Sequence, residues 1–203
     1  NNIYPQDFLN FSAAAVPDSA ECMVKVSQLA KNPRYLYLPY GADTSSFERK
    51  RDSSVKSDTL REYSTSFQYI GSYEDFLSSG CSVKSDVSES FSETEQQYRE
   101  FVYNNYLQIP DNHDINAVRQ KYSGVLENCS DKSYEDVYRV MNRIRNAITF
   151  DTEYTLSPGR TPATRDFVSY FLLENKKGYC SHYASAGILL ARLCNIPARY
   201  AEG

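Results

Sequence analysis

The chain has 203 residues, a formal net charge of −4 and 41% hydrophobic residues, which is enough to build a core in one large or two small domains. The acidic balance and the lack of a basic cluster argue against a nucleic-acid partner. The longest apolar run, residues 187–193, contains Arg192 and is too short to span a bilayer. The cysteines show no Cys-x-x-Cys spacing, so we expect no zinc site, and we predict no other metal or cofactor.

The N-terminal part of the chain has the pattern of β-structure. Apolar and polar residues alternate over residues 22–26 and again over residues 61–70, as expected for half-buried strands. Residues 34–39 are interpreted as a further strand. Residues 43–58 are polar and charged, which predicts a long hairpin tip or a mobile loop. Residues 80–90 are rich in serine and acidic residues and are predicted to be a linker.

Three amphipathic helices are predicted after this linker. Ser92 and Glu95 have the spacing of a capping box, so the first helix should begin at Ser92 and end before Pro110. The second helix runs along an apolar stripe, and the third begins at Ser133. Because each helix has only one apolar face, the three must pack on one another and on a further element. The residues predicted to face inward are Tyr98, Phe101, Val102, Tyr106, Ile115, Val118, Tyr122, Val125, Leu126, Cys129, Val137, Val140, Met141, Ile144 and Ile148.

The change from alternating to helical periodicity predicts an α+β fold with two parts. Residues 1–88 should form a β-rich N-terminal domain, unusually rich in tyrosine. Residues 89–203 should form a helical core. The natural partner of the three helices is a fourth helix over residues 181–193, whose small and apolar residues are typical of a central helix.

Cys180 is the residue most suggestive of chemistry. Gly178 ends one element, so Cys180 falls in the first turn of the fourth helix. Unpaired N–H groups and the positive end of the helix dipole favour a thiolate at this position, and a thiolate is the nucleophilic form of cysteine. The alternative is a buried helix with an incidental cysteine. Of the other cysteines, Cys129 and Cys194 are expected to be small buried hydrophobes, and a Cys22–Cys81 pair is left open.

The residues around Cys180 resemble the transglutaminase-like superfamily of papain-type cysteine acyltransferases and proteases. The resemblance rests on Gly178-Tyr-Cys180-Ser-His-Tyr-Ala184, a helix ending at Arg192, and Asn195-Ile-Pro-Ala-Arg199. It extends from about Tyr98 to Gly203. Asn195 stands where the family usually has glycine, and asparagine also tolerates the left-handed conformation after a helix. The resemblance implies that residues 89–203 are the N-terminal, cysteine-bearing part of a papain-like core.

The resemblance also implies a Cys-His-Asp triad in which Cys180 is the catalytic nucleophile and the His and Asp lie on strands after Gly203. Neither histidine of the chain fits the role of the base. His182 follows Cys180 by two positions on one helix, so the two side chains diverge, and His113 is interpreted as a solvated histidine at a helix start. We therefore expect a fragment of a longer protein, truncated before its base and inactive by itself.

The implied activity is that of an acyltransferase or peptidase acting on peptide or glutamine-type amide bonds through a cysteine thioester. The Cys180 backbone N–H would be one oxyanion donor, and Tyr154 or Tyr179 the other. Arg192 and Arg199 are predicted to be structural, because Arg192 lies at a helix end where a cation suits the dipole.

Bacterial membrane-anchored members of the superfamily look most similar, which implies an extracellular or cell-surface location and a membrane-anchored parent. The expected partner is a protein or peptide substrate associated with the cell wall, and an exposed sheet edge left by truncation could support a dimer. The alternative function is a non-catalytic cell-surface binding or scaffold module on the same fold. A His-Ala-Trp-type segment and an Asp-containing strand after Gly203 would favour the enzyme.

Overall fold

A computed structural model describes residues 5–15, 19–29, 34–39, 41–50, 54–56, 60–69, 88–127, 129 and 133–201. The chain combines helices and strands, which confirms the predicted α+β class. It divides into two compact units, one formed by Asn1–Phe101 with Gly203 and the other by Val102–Glu202. The division at residue 88 stays a prediction.

The first unit contains a helix, α1 (Pro5–Ala15), and two strands, β1 (Ala20–Ser27) and β2 (Glu62–Tyr69). The strands pair antiparallel, with Cys22 opposite Phe67 and Val24 opposite Thr65. Both strands were predicted from alternation, and the structure confirms them. The described residues between the strands form turns and isolated bridges, in agreement with the predicted loop.

The predicted strand over residues 34–39 is wrong. The segment makes one isolated bridge, from Tyr35 to Lys56, and is otherwise irregular. The backbone of Tyr37 is bonded by a side chain and not by a neighbouring strand. The Tyr63 hydroxyl accepts the Tyr37 N–H at 2.9 Å and donates to the Tyr37 carbonyl at 2.7 Å. Leu36 packs with Val55 and Tyr63 in a small buried cluster.

A second helix, α2 (Ser88–Tyr106), runs from the first unit across the boundary of the second. Its start corrects the predicted one, because Ser92 lies inside the helix and is not its N-cap. Residues 88–90, assigned to the linker, are helical, and the rest of that linker lies outside the described residues. The helix also ends before Pro110, and the Tyr106 carbonyl accepts the Ala198 N–H at 3.0 Å.

The second unit is mainly helical. Its elements in chain order are α3 (His113–Lys121), α4 (Ser123–Leu126), α5 (Tyr134–Asp151), β3 (Glu153–Tyr154), α6 (Phe167–Tyr170), a π-helical turn (Phe171–Asn175), β4 (Lys177–Gly178) and α7 (Cys180–Leu193). One core gathers the apolar sides of these helices, and the central α7 supplies the largest share. The buried members of this core are Ile115, Val118, Tyr122, Val140, Ile144, Ile148, Phe171, Leu172, Ala186, Leu189, Leu190, Ala191 and Cys194.

The second and third predicted helices are confirmed in outline and corrected in detail. The stripe from Ile115 to Cys129 is broken at Tyr122, so it forms the two helices α3 and α4, and Cys129 lies beyond the second. Ser123 and Gly124, both weak helix formers, follow the break. Ser133 caps α5 as predicted and accepts the Asp136 N–H at 3.2 Å. Met141, predicted to face inward, is 37% exposed.

An ionic network connects α3, α5 and the π-helical turn. The Asp151 carboxylate accepts hydrogen bonds from Lys121 and, at 3.1 Å, from Lys176, and the Tyr122 hydroxyl lies 3.3 Å away. Burial raises the pKa of Asp151, but the hydrogen bonds from both lysines outweigh it and leave the pKa below its ordinary value. Burial and the Asp151 charge raise the pKa of Tyr122. Lys176 has a left-handed backbone, φ 54°, which ends the turn.

Among the described residues, no helix combines the length and apolar character needed to cross a membrane.

Candidate active site around Cys180

Cys180 is the first residue of α7 and is exposed. The chain reaches it through β4, which pairs in parallel with β3 so that Tyr154 lies opposite Gly178. The Thr155 N–H donates to the Gly178 carbonyl at 2.8 Å and holds the two segments together. Tyr179 adopts an extended conformation between β4 and α7, as an N-cap residue does. This arrangement presents the thiol at an open helix start, as predicted.

His182 is part of the structure of this helix start. The backbone N–H of His182 donates to the Tyr179 carbonyl at 2.9 Å, and the ring Nδ1 accepts the backbone N–H of Tyr179 at 3.4 Å. The ring is enclosed by aromatic rings, with centroid distances of 4.4 Å to Phe167 and 5.3 Å to Phe171. Burial lowers the pKa of His182, so the imidazole is neutral at neutral pH. This contact was not predicted from the sequence: the His182 side chain reaches back three residues to the N-cap N–H, which is one half of a capping box.

Gly178 lies against His182 at very short range. A Cβ atom at Gly178 would be 2.6 Å from the His182 Cβ and 2.8 Å from the Phe171 Cε2. No side chain fits there unless the helix start moves. Gly178 was predicted from the sequence to end an element, and in the structure it also leaves the space that His182 occupies.

The other histidine, His113, is exposed to solvent. The His113 side chain is 98% exposed, at the first position of α3, and its Nδ1 lies 3.9 Å from the Asp114 carboxylate. This is the solvated histidine at a helix start that the sequence predicted. Asn112, the residue before it, caps the helix by accepting the Ile115 N–H at 3.0 Å.

The end of α7 is held by Arg192. Its guanidinium donates to the Ala198 carbonyl at 2.7 and 2.9 Å and to the Gln108 carbonyl at 2.7 Å. These bonds give Arg192 the structural role predicted for it, and the corresponding role of Arg199 stays a prediction. Asn195 has φ 56°, so it takes the left-handed conformation expected at this position.

Tyr179 precedes Cys180 in the chain, and Tyr154 lies opposite Gly178 in the parallel strand pair. Tyr154 on β3 is 60% exposed, and its ring centroid lies 5.7 Å from that of Tyr183. Tyr179 directs its ring at His182, at a centroid distance of 4.6 Å. Tyr183 is anchored in turn, since its hydroxyl accepts the Thr152 hydroxyl at 2.9 Å. The oxyanion roles suggested for Tyr154 and Tyr179 stay predictions.

The four described cysteines, Cys22, Cys129, Cys180 and Cys194, are all free thiols, and their surroundings differ. Cys180 is exposed, Cys22 and Cys129 are half-buried, and Cys194 is buried. Burial raises the pKa of Cys194 to about 12, with a further contribution from Cys129. Cys81 lies outside the described residues, and with it the Cys22–Cys81 pair. Within the described part of the chain, no group of three or more His, Cys, Asp or Glu residues is arranged to hold a metal ion.

The segment that contains the exposed Cys180, its helix and the short parallel strand pair lies within a match to the transglutaminase-like superfamily. The family model for this superfamily covers residues 119–203, which confirms the resemblance over these residues. A relative from Bacillus subtilis (strain 168), uncharacterized protein YebA, is 33% identical over 102 residues, or 48% of this chain and 13% of that protein.

A solved structure has a similar fold. It is the crystal structure of the periplasmic domain of TgpA from Pseudomonas aeruginosa bound to ethylmercury, with a TM-score of 0.51. The alignment covers 90% of this chain and 57% of that one at 16% identity, so the likeness is one of fold. The chain thus spans about half the length of this solved neighbour and about an eighth of the Bacillus protein.

Proposed function

We propose that Cys180 is the nucleophile of a transglutaminase-like cysteine acyltransferase or peptidase that acts on peptide or glutamine-type amide bonds. The observation that carries the proposal is the exposed thiol on the first residue of α7, inside the segment that matches the superfamily. A helix start directs N–H groups and the positive end of the dipole at the sulfur and at any oxyanion formed beside it.

The reaction is acyl transfer through a thioester. The Cys180 thiolate attacks the carbonyl carbon of the amide, and the carbonyl oxygen becomes a tetrahedral oxyanion that the Cys180 N–H can stabilise. Collapse of the intermediate breaks the C–N bond, and the leaving amine takes a proton from the catalytic histidine. Water or a second amine then attacks the thioester and gives a proton to the histidine, and the C–S bond breaks to release the Cys180 thiolate, which restores the starting state. The resemblance assigns that histidine, and the aspartate that orients it, to chain beyond residue 203.

The surface beside the thiol suits a peptide substrate. Tyr154 lies opposite Gly178 in the parallel pair, and Leu156 follows on the same segment with 79% of its surface exposed. Exposed apolar side chains next to a nucleophile can hold a substrate side chain while the amide reaches the sulfur. We place the reaction outside the cytoplasm, in keeping with the periplasmic TgpA domain, on a membrane-anchored parent that acts on cell-wall protein.

The nucleophile is tested by competitive labelling of the cysteines. The chain is treated with substoichiometric iodoacetamide at graded pH, and the labelled peptides are identified by mass spectrometry. We expect Cys180 to be labelled first, because it is exposed at a helix start, and the buried Cys194 to be labelled last. Preferential labelling of Cys22 or Cys129 would contradict the nucleophile assignment.

The reaction class is tested with a longer protein. A chain extended into its natural continuation past residue 203 is assayed with a glutamine-containing peptide, with and without an added primary amine. Cys180→Ser should reduce turnover by more than about 10³-fold, while the matched control Cys22→Ser leaves it unchanged. Turnover by the 203-residue chain alone would refute the expected dependence on the absent histidine. Peptide binding without turnover in the extended protein would favour the binding module instead.

A further inference from the structure

An open cavity lies within the first unit, where α1, β2 and residues 42–49 contribute its walls. Its volume is about 740 Å³, which is in the range of sites that bind small molecules. The walls include Asp7, Phe11, Asp43, Phe47, Arg49 and Gln68. None of these residues lies in the segment 119–203 that matches the superfamily, so the proposed reaction does not account for the cavity.

The wall that carries Asp43 is anchored to β2. The Asp43 N–H donates to the Ser66 carbonyl at 2.8 Å, and the Asp43 carbonyl accepts the hydroxyl of the buried Thr65 at 2.8 Å. Two hydrogen bonds to one strand hold this residue on both sides of its Cα atom. Because the wall is already fixed, a ligand does not have to order it on binding.

The polar side chains of the cavity offer both donors and acceptors. The two carboxylate oxygens of Asp43 accept the Ser45 N–H at 2.9 Å and the Ser45 hydroxyl at 3.0 Å. Each oxygen can accept a second hydrogen bond, and Asp43 is exposed to the ligand. The amide of the half-buried Gln68 supplies an NH₂ donor and a carbonyl acceptor on β2.

The charges of the cavity favour a neutral ligand. The Arg49 guanidinium is hydrogen-bonded to the Asp7 carboxylate, and the two side chains are 28% and 37% exposed. An anion would meet the carboxylates of Asp7 and Asp43. A cation would meet the Arg49 guanidinium or compete with it for Asp7. A neutral ligand with hydroxyl groups can bond to the same side chains without breaking the ion pair.

Two aromatic rings supply the apolar part of the cavity. Phe11 stacks on Phe91 with centroids 5.8 Å apart, and Phe47 meets Tyr63 edge to face at 6.1 Å. Both rings also line the cavity, so neither is fully covered by its aromatic neighbour. A sugar ring has the matching surface, because its C–H face packs on an aromatic ring while the hydroxyls at its rim donate and accept hydrogen bonds.

We propose that this cavity binds a neutral oligosaccharide of roughly two or three sugar rings. The sugar faces pack against Phe11 and Phe47, and the hydroxyls bond to Asp43 and Gln68. Binding is non-covalent and is independent of the acyl-transfer reaction, because no residue of the Cys180 site takes part in it.

The test is an NMR titration of the isotope-labelled 203-residue chain. The probes are chitotriose and cellotriose, the neutral trimers of N-acetylglucosamine and of glucose, and trilysine serves as a cationic probe. We expect at least one saccharide to give saturable shifts in the amides of residues 42–49 and Gln68, and trilysine to give none. Asp43→Asn should weaken the affinity for that saccharide about tenfold, because one acceptor and the charge are lost. The matched control is Glu62→Gln, which makes the same change at an exposed site outside the cavity and should leave the affinity unchanged.

Three results with the unmutated chain would overturn the proposal: no saturable shift with either saccharide, shifts confined to other residues, or trilysine binding at least as tightly in the cavity. A folding defect in a variant cannot produce any of these results. Equal affinities of Asp43→Asn and Glu62→Gln would contradict the contact with Asp43. Because no part of the titration depends on Cys180, this proposal and the proposed reaction fail separately.

Discussion

Gly178 shows how one residue can set the geometry of a helix start. The absence of a side chain at this position lets the His182 ring lie over the backbone of β4 while it caps α7. The cap fixes the direction in which the first N–H groups of α7 point. Gly178 thus leaves room for a histidine that bonds the residue before Cys180 and whose pKa is lowered by burial.

We predict that Gly178→Ala is destabilising. The added methyl group would lie 2.6 Å from the His182 Cβ, and both neighbours are buried, so the helix start has to shift. A fall of about 1–3 kcal/mol in the free energy of unfolding is expected from this overpacking, measured by urea denaturation. Gly187→Ala, within α7, is the control, because a Cβ there meets nothing within 4 Å. The control should leave stability unchanged or raise it by up to about 1 kcal/mol, and an equal loss in both variants would contradict the role of Gly178.

At the scale of single residues, the sequence predicted correctly the features that depend only on residues nearby in the chain. The position of Cys180 in the first turn and the left-handed conformation of Asn195 depend on neighbouring residues alone, and both were predicted. The role of His182 was not, because the rings that bury it belong to α6 and the π-helical turn. Packing across elements leaves no signal in the residues beside the histidine.

The same distinction holds for the elements. Strands β1 and β2 follow from alternation, and α5 follows from its cap and its stripe. Helix α1 was not predicted, because its apolar face is defined by rings distant in sequence: Phe8 stacks on Tyr98 with centroids 4.1 Å apart. The interruption at Tyr122 was missed for a related reason. Tyr122 continues the apolar stripe in the sequence, and the stripe does not reveal that the helix turns there.

We predict that Asp151→Asn weakens the attachment of α5 to its neighbours. The carboxylate accepts charge-assisted bonds from Lys121 and Lys176, and an amide would leave both lysines poorly paired. The expected loss is about 1–3 kcal/mol in the free energy of unfolding at pH 7, measured by urea denaturation. Glu153→Gln is the control, because its pair with Lys177 is exposed and should contribute less than about 1 kcal/mol.

The pH dependence of this difference follows from the lowered pKa of Asp151. Its stabilisation is fully present above the ordinary value of 3.8 and is lost as the pH falls through the lower pKa of the folded protein. The difference in the free energy of unfolding between the unmutated chain and Asp151→Asn should therefore become smaller as the pH is lowered below pH 4. A gap that stays constant down to pH 3 would show that the carboxylate charge is not the source of the stabilisation.

At the scale of the whole molecule, the two units differ in how many of their side chains are buried. Strand β1 has no buried residue, and the first unit's cluster around β2 consists of Leu36, Val55 and Tyr63 among the described residues. The second unit has a continuous core, in which Leu190 and Ala191 are fully buried.

We predict that native-state hydrogen exchange separates the units. The amides of Leu190 and Ala191 should exchange only by global unfolding, whereas those of β1 and β2 should exchange through local opening, at least about 100-fold faster. The measurement is exchange followed by mass spectrometry or NMR at fixed pH and temperature. Equal protection of the hairpin and α7 would show that the chain unfolds as a single cooperative unit.

The fold class and the place of Cys180 at a helix start were thus accessible from the sequence, because periodicity and the order of residues around Cys180 are properties of short segments. That neither histidine suits the role of a base for Cys180 was also predicted from the sequence, although the part that His182 plays at the helix start was not. His182 serves the helix cap and His113 faces solvent. Substrate and acceptor are decided by surfaces that form only when distant segments assemble.

The π-helical turn before β4 has a consequence for how this chain can change in length over evolution. The number of residues before Cys180 is fixed by three features: the turn, the left-handed Lys176 and the pairing of Tyr154 with Gly178. Loss or gain of a single codon there would slip the strand register by one and turn the thiol away from the open face. The irregular segment over residues 157–165 has no strand register to keep, although Asn175 donates to the Pro158 carbonyl at 3.0 Å and Arg165 pairs with Asp114 at 3.2 Å. Length variation among descendants of this gene should therefore collect in that segment, while the spacing from Phe171 to Cys180 stays constant.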